Sequence, residues 1–153
     1  MTTPTTILVG DMTVTAGPVL AVLLAAIPDL ARDIQAMANG ETITRDLDGL
    51  KVEFVRGVLM PLQGVVTVSD EVSIDVDCHG GCTHESISML TERQSVAHDL
   101  QDALEARMDA DEPIGDAFAL PVSLGVVADL MMDDVDYTPP MSGDGLHMVT
   151  ASW

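Results

Sequence analysis

Aromatic residues are nearly missing from this sequence, which holds one Trp, one Tyr and two Phe in 153 residues. A core for one domain of that length must be built from Val, Leu, Ile and Ala, with ten Met as adaptable filler. Basic residues are scarcer than acidic ones by a wide margin. Lys51 is the only lysine, and six Lys plus Arg face 25 acidic residues, 18 of them Asp, for a formal charge of −19. A chain with so few cations cannot replace the counterions of a phosphate backbone, so direct nucleic-acid binding is not expected. Self-repulsion of the acidic surface predicts that salt or divalent cations favour folding or assembly. A high-salt cytoplasm and a genome poor in lysine codons would each produce this composition. Two cysteines are too few for a disulfide scaffold. No run approaches the roughly 18–20 apolar residues that cross a bilayer; the longest, Val19 to Ile27, has nine. Met1-Thr2-Thr3-Pro4 lacks the positive start of a secretory signal. The expectation is a protein made in a cytoplasm, with no membrane partner.

The order of elements predicts an α+β fold, a mixed or antiparallel sheet packed against two main helices. Residues 2–16 are Thr-rich and read as an extended N-terminal arm, with Ile7-Leu8-Val9 as a short strand or docking segment. Residues 17–153 read as a single domain. Gly17-Pro18 opens a helix, since proline suits the first helical position. Leu20, Leu23, Leu24, Ile27, Leu30, Ile34 and Met37 follow at helical spacing, interrupted by Pro28, with Asn39-Gly40 as a stop. Residues 41–78 read as sheet. In Val72-Ser73-Ile74-Asp75-Val76-Asp77-Cys78 apolar and polar residues alternate strictly. Pairing Val68 with Val72 and Val66 with Ile74 keeps the valines on one face and leaves the three-residue loop Ser69-Asp70-Glu71. A helix is predicted over residues 87–109, with Thr91 and Gln94 at capping-box spacing and Met89, Val96, Leu100, Ala103, Leu104 and Met108 buried. Residues 114–132 read as a strand and a short helix, residues 133–140 as a loop, and residues 145–153 as a closing strand.

Cys78-His79-Gly80-Gly81-Cys82-Thr83-His84 is the only cluster of soft metal ligands. Cys78, Cys82 and His84, with His98 or His147 as a fourth, could form a tetrahedral zinc site. The plainer reading is a core cysteine, continuing the inward parity of Val76, followed by a Gly-Gly turn. A cysteine nucleophile is disfavoured, because nothing cationic nearby would lower its pKa. Asp75 with Asp77, and Asp134 with Asp136, place two carboxyls on one side of an extended segment, a pattern suited to divalent cations or acid–base chemistry. With 18 Asp such pairs also arise by chance, and the first lies on its strand's expected solvent face. Gly143-Asp144-Gly145 lacks the spacing and lysine of a phosphate loop and reads as a turn. No catalytic, cofactor-binding or metal-binding residue is assigned, and no cofactor is expected.

Three segments carry a resemblance at the level of element order. They are Val72-Ser73-Ile74-Asp75-Val76, then Ser95 to Arg107, then Asp134-Val135-Asp136-Tyr137 leading through Gly143-Asp144-Gly145-Leu146-His147-Met148-Val149-Thr150 to the end. Over about residues 66–153 this order resembles the tail-terminator (tail-completion) proteins of long-tailed double-stranded DNA phages. The resemblance implies a small α+β subunit that forms a ring, typically six-fold, at the head-proximal end of a tail tube. It further implies a structural protein and not an enzyme, assembled in the host cytoplasm into a virion. Its partners would be copies of itself and proteins of the tail tube or head connector. A capsid decoration protein of the same particle class and a small zinc-binding interaction module remain the alternatives.

Overall fold

The computed structural model describes residues 6–57, 61–79, 82–140 and 145–153, and only the backbone of His79, Cys82 and Thr83. The architecture is α+β. Strands β1 (Thr6–Val9) and β2 (Met12–Thr15) precede helices α1 (Pro18–Ala26) and α2 (Leu30–Gln35). Then come β3 (Thr42–Leu47), β4 (Leu50–Val55), β5 (Leu62–Thr67), β6 (Val72–His79) and β7 (Cys82–Thr91). Helix α3 (Gln94–Asp109), a 3-10 helix (Val122–Asp129), β8 (Asp134–Thr138) and β9 (His147–Ser152) complete the chain. β1 and β2 form a two-stranded sheet; the others form a seven-stranded antiparallel sheet in the order β3-β4-β5-β6-β7-β9-β8. The chain divides into two compact units, Met1–Thr67 with Asp75–Glu85, and Val68–Ile74 with Ser86–Trp153.

In the first unit, the segment expected as an extended arm folds from Thr6 to Thr15 into an antiparallel hairpin. Its alternation buries Ile7, Val9 and Val14 and leaves the threonines outside. Residues 2–5 of that expected arm lie outside the described residues. Gly17 is the extended residue before α1, and Pro18 takes its first helical position, where the missing N–H costs nothing. Pro28 splits the helical stripe as its chemistry requires: Ile27 turns extended and Asp29 adopts a left-handed conformation (φ 63°) before α2 begins. Leu20, Leu23, Ile27, Leu30, Ile34 and Met37 are all buried, so one apolar face survives the break. Arg45 of β3 bridges to Asp33 of α2 at 3.0 Å, and Arg56 donates to the Met37 carbonyl. Asp48-Gly49, both at positive φ, make the two-residue turn between β3 and β4. Phe54 pairs with Gly64 across β4 and β5. A Cβ on Gly64 would lie 2.5 Å from the ring, so only glycine admits the aromatic there.

The least ordinary feature of this unit is Glu85, an acid buried at 1% exposure on β7. The N–H groups of Val19 and Leu20 donate to its Oε1 and Oε2 at 3.1 and 2.8 Å. No side chain near α1 caps the helix, so a residue 65 positions away satisfies two of its orphan donors. Gly17 makes room: a Cβ there would sit 2.5 Å from the carboxyl.

In the second unit, Val68 N–H and Ser69 N–H donate to the Val72 carbonyl at 3.0 and 3.1 Å, closing the three-residue loop expected at Ser69-Asp70-Glu71. Ser69 Oγ accepts from Glu71 and Val72 N–H and stiffens it. The helix expected from residue 87 begins instead at Gln94, because residues 86–91 pair with β9. Ile87 faces Ala151, Met89 faces Val149, and Ser88 Oγ lies 2.9 Å from Thr150 Oγ1. Met89 was compatible with helical spacing, but a cross-strand partner absent from the local sequence decides its conformation. Thr91 Oγ1 accepts from Arg93 N–H and forms no capping box with Gln94. Helix α3 buries Ala97, Leu100 and Leu104, while Val96 and Ala103 are exposed and Met108 is half-buried. Residues 114–132 contain the 3-10 helix and an isolated bridge between Pro113 and Met131, with no strand. The loop expected over residues 133–140 contains the edge strand β8, in which Val135 faces Ala151. The closing strand is present as β9. The turns read at Gly80-Gly81 and Gly143-Asp144 lie outside the described residues.

Replacing Glu85 with Ala is expected to lower the unfolding free energy by about 2–3 kcal/mol, since two buried N–H groups lose their acceptor. Gly17→Ala should have an effect in the same direction by pushing the carboxyl away. Urea midpoints read both, and midpoints equal to that of the unchanged chain would show that the contact contributes no stability.

Candidate functional site

Each group singled out in the sequence occupies a definite place. Cys78 is fully buried, continuing the inward parity of Val72, Ile74 and Val76 on β6. His84 is exposed and precedes the inward-facing Glu85, so Cys78 and His84 occupy opposite environments. The Cys82 side chain lies outside the described residues. Among the described residues no three His, Cys, Asp or Glu side chains gather as a metal-holding group.

The paired carboxyls on β6 are less solvated than their strand face suggested. Asp75 and Asp77 are both half-buried, and Asp77 Oδ1 is shielded from water without a hydrogen-bond partner. Burial pushes the Asp75 carboxyl above its usual 3.8, and the charge of Asp77 adds to the effect. On β8, Asp134 and Asp136 are both exposed. The hydrogen bond that protonated Asp136 donates to Asp134, together with the Asp134 charge, pushes Asp136 up, with desolvation adding less.

A polar cluster on β8, β9 and α3 had no motif to announce it. Tyr137 Oη lies 2.5 Å from His147 Nδ1, and the rings stack with centroids 5.9 Å apart. His98 on α3 meets the Tyr137 ring edge-on at 5.0 Å. The β8–β9 pairing brings Tyr137 opposite Val149, two residues beyond His147. That partnership depends on the strand Asp134–Thr138, where the sequence predicts a loop.

The second unit also contains a groove of about 430 Å³ at the start of α3. Leu90 and Thr91 from the end of β7, Val96 from α3 and Leu146 from the approach to β9 form its apolar part. Asp70, Glu71, Glu92 and Arg93 stand around them, all four exposed. Leu90 N–H donates to the Glu71 carbonyl at 2.6 Å and ties the hairpin loop to this site. A smaller depression of about 240 Å³ in the first unit lies among Val9, Met12, Asn39 and Arg56. Neither has a compositional signature, because each gathers residues remote in sequence.

The Asp75 carboxyl gives a pH dependence with a definite sign. With its pKa raised, the folded chain holds a proton that the unfolded chain releases near 3.8. Folding takes up that proton in the window between the two values, so this group's contribution to stability falls as pH rises through the window. Asp75→Asn should therefore be more stable than the unchanged chain at neutral pH, and the two should converge under acid conditions. Denaturant melts across a pH series test this; an Asp75→Asn chain less stable at neutral pH would reverse the assignment.

Compared with protein families, curated proteins and solved structures, the chain matches none.

Proposed function

We propose that the chain is a structural subunit of a tailed virus particle, acting as a tail terminator through ring assembly and contacts with tail-tube or head-connector proteins. The observation that carries this reading is the exposure of large apolar side chains in the second unit. Val122, at the start of the 3-10 helix, is 98% exposed, and Met131 is 49% exposed. A valine left wholly in water adds no burial to the fold and is free for a contact, and methionine is enriched at protein contact surfaces. The sequence of hairpin strand, sixteen-residue amphipathic helix and closing strand also supports the resemblance over residues 66–153. In this role the acidic surface restrains premature self-association until ions screen it or a partner covers it.

Native mass spectra recorded with and without magnesium should show a metal-free oligomer of ring size. Val122→Asp should shift that oligomer towards monomer while leaving the monomer's unfolding free energy, read from urea melts, within about 0.5 kcal/mol. A monomer holding one tightly bound zinc would reject the particle role in favour of a zinc-binding module.

A further inference from the structure

We infer that the groove at the start of α3 is a docking site for a basic segment of another protein that carries an apolar anchor side chain. This inference goes beyond the particle role and does not depend on it. Leu90, Val96 and Leu146 supply the apolar floor, with Val96 36% and Leu146 37% exposed. The rim sets the chemistry of what can cover them: Asp70, Glu71 and Glu92 place three carboxyls there against the single guanidinium of Arg93.

Among the described residues none of these three acids forms an ion pair. The basic side chains are engaged elsewhere: Arg32 with Asp29 and Asp33, Arg45 with Asp33, Lys51 with Glu53, Arg107 with Asp116, and Arg56 with the Met37 carbonyl. Arg93 makes no ion pair among the described residues, although Glu92 precedes it. A second copy of this chain, at −19, would bring mostly like charge to the rim. A leucine- or methionine-sized side chain flanked by Lys or Arg answers both parts of the surface. Charge complementarity would guide its approach, and burial of the apolar anchor would hold it. The first-turn N–H groups of α3, which have no side-chain cap, and the Arg93 side chain offer donors to the segment's backbone carbonyls.

The test uses the full chain and a short fluorescent peptide of two leucines flanked by lysines, followed by anisotropy and by amide NMR shifts at about 0.15 M salt. Shifts should gather on Leu90 to Val96, Asp70, Glu71 and Leu146. Asp70→Asn with Glu71→Gln and Glu92→Gln should weaken binding about tenfold, whereas Asp102→Asn with Asp109→Asn and Asp129→Asn, an equal loss of exposed charge, should weaken it less than about twofold. Val96→Ser should weaken binding with the charge intact, and a peptide with both leucines changed to serine should bind more weakly. Equal losses for the two charge variants, or equal binding of the serine peptide, would reduce the effect to net charge and overturn the site. Peptide-independent shifts at the same residues on raising protein concentration would make the occupant a second copy and overturn the basic partner.

Discussion

The hydrogen bonds from Val19 and Leu20 to the Glu85 carboxyl are the contact on which the first unit turns. Helix α1 is almost wholly apolar, so it offers no polar side chain to its own N-terminus. Its orphan N–H groups must find an acceptor while Val19, Leu20 and Leu23 are buried. Glu85 provides that acceptor from a strand, and in return two donors offset the cost of placing a carboxyl at an inward position. Gly17 is required by the same contact, because any side chain would occupy the carboxyl's place. One acid, one glycine and one proline thus determine where α1 starts and what it faces.

The excess of acid is distributed in a way that keeps surfaces distinct. On the edge strand β8, Asp134 and Asp136 put close carboxyls where another strand would otherwise add. Unpaired strand edges invite such addition, and charge is a common defence. The other edge, β3, carries Thr42, Thr44 and Asp46 outward, with Arg45 held by Asp33. Contact by strand addition is therefore discouraged at both edges. The exposed large apolar groups lie away from these two edges, at Leu8 and Met12 of the N-terminal hairpin, at Val122 and Met131, and at the Val96–Leu146 groove. That separation favours contacts made by side-chain packing, the mode that the proposed particle role requires.

The two contact surfaces proposed in the second unit differ in character. Val122 projects into water as a single anchor, whereas the groove is concave with a charged rim. A projecting anchor needs a pocket on its partner, and a groove needs a projecting side chain. A subunit with both can meet two different neighbours without either competing for the same residues. The Tyr137–His147 pair and His98 brace β8 against β9 and α3 nearby, giving the edge a rigid backing.

Local chemistry alone determined much of this protein. Proline at residues 18 and 28 marked where a helix starts and splits, and Asp48-Gly49 made a tight turn. The parity of Val68 and Val72 gave the loop length of their hairpin. Each of these depends on backbone torsions or on a two-residue period, which neighbours in sequence control. Tertiary structure decided the rest. Residues 87–91 are strand because β9 lies beside them, and Asp134–Thr138 is strand for the same reason. The Thr-rich start is a hairpin with one buried face because Ile7, Val9 and Val14 find a core, and Glu85 is a helix cap only because α1 arrives against it. The groove has no sequence signature, since the loop at Asp70, the end of β7 and Leu146 meet only through the fold. Short-range sterics are written in adjacent residues, while partners for strands, buried acids and grooves come from segments dozens of positions away.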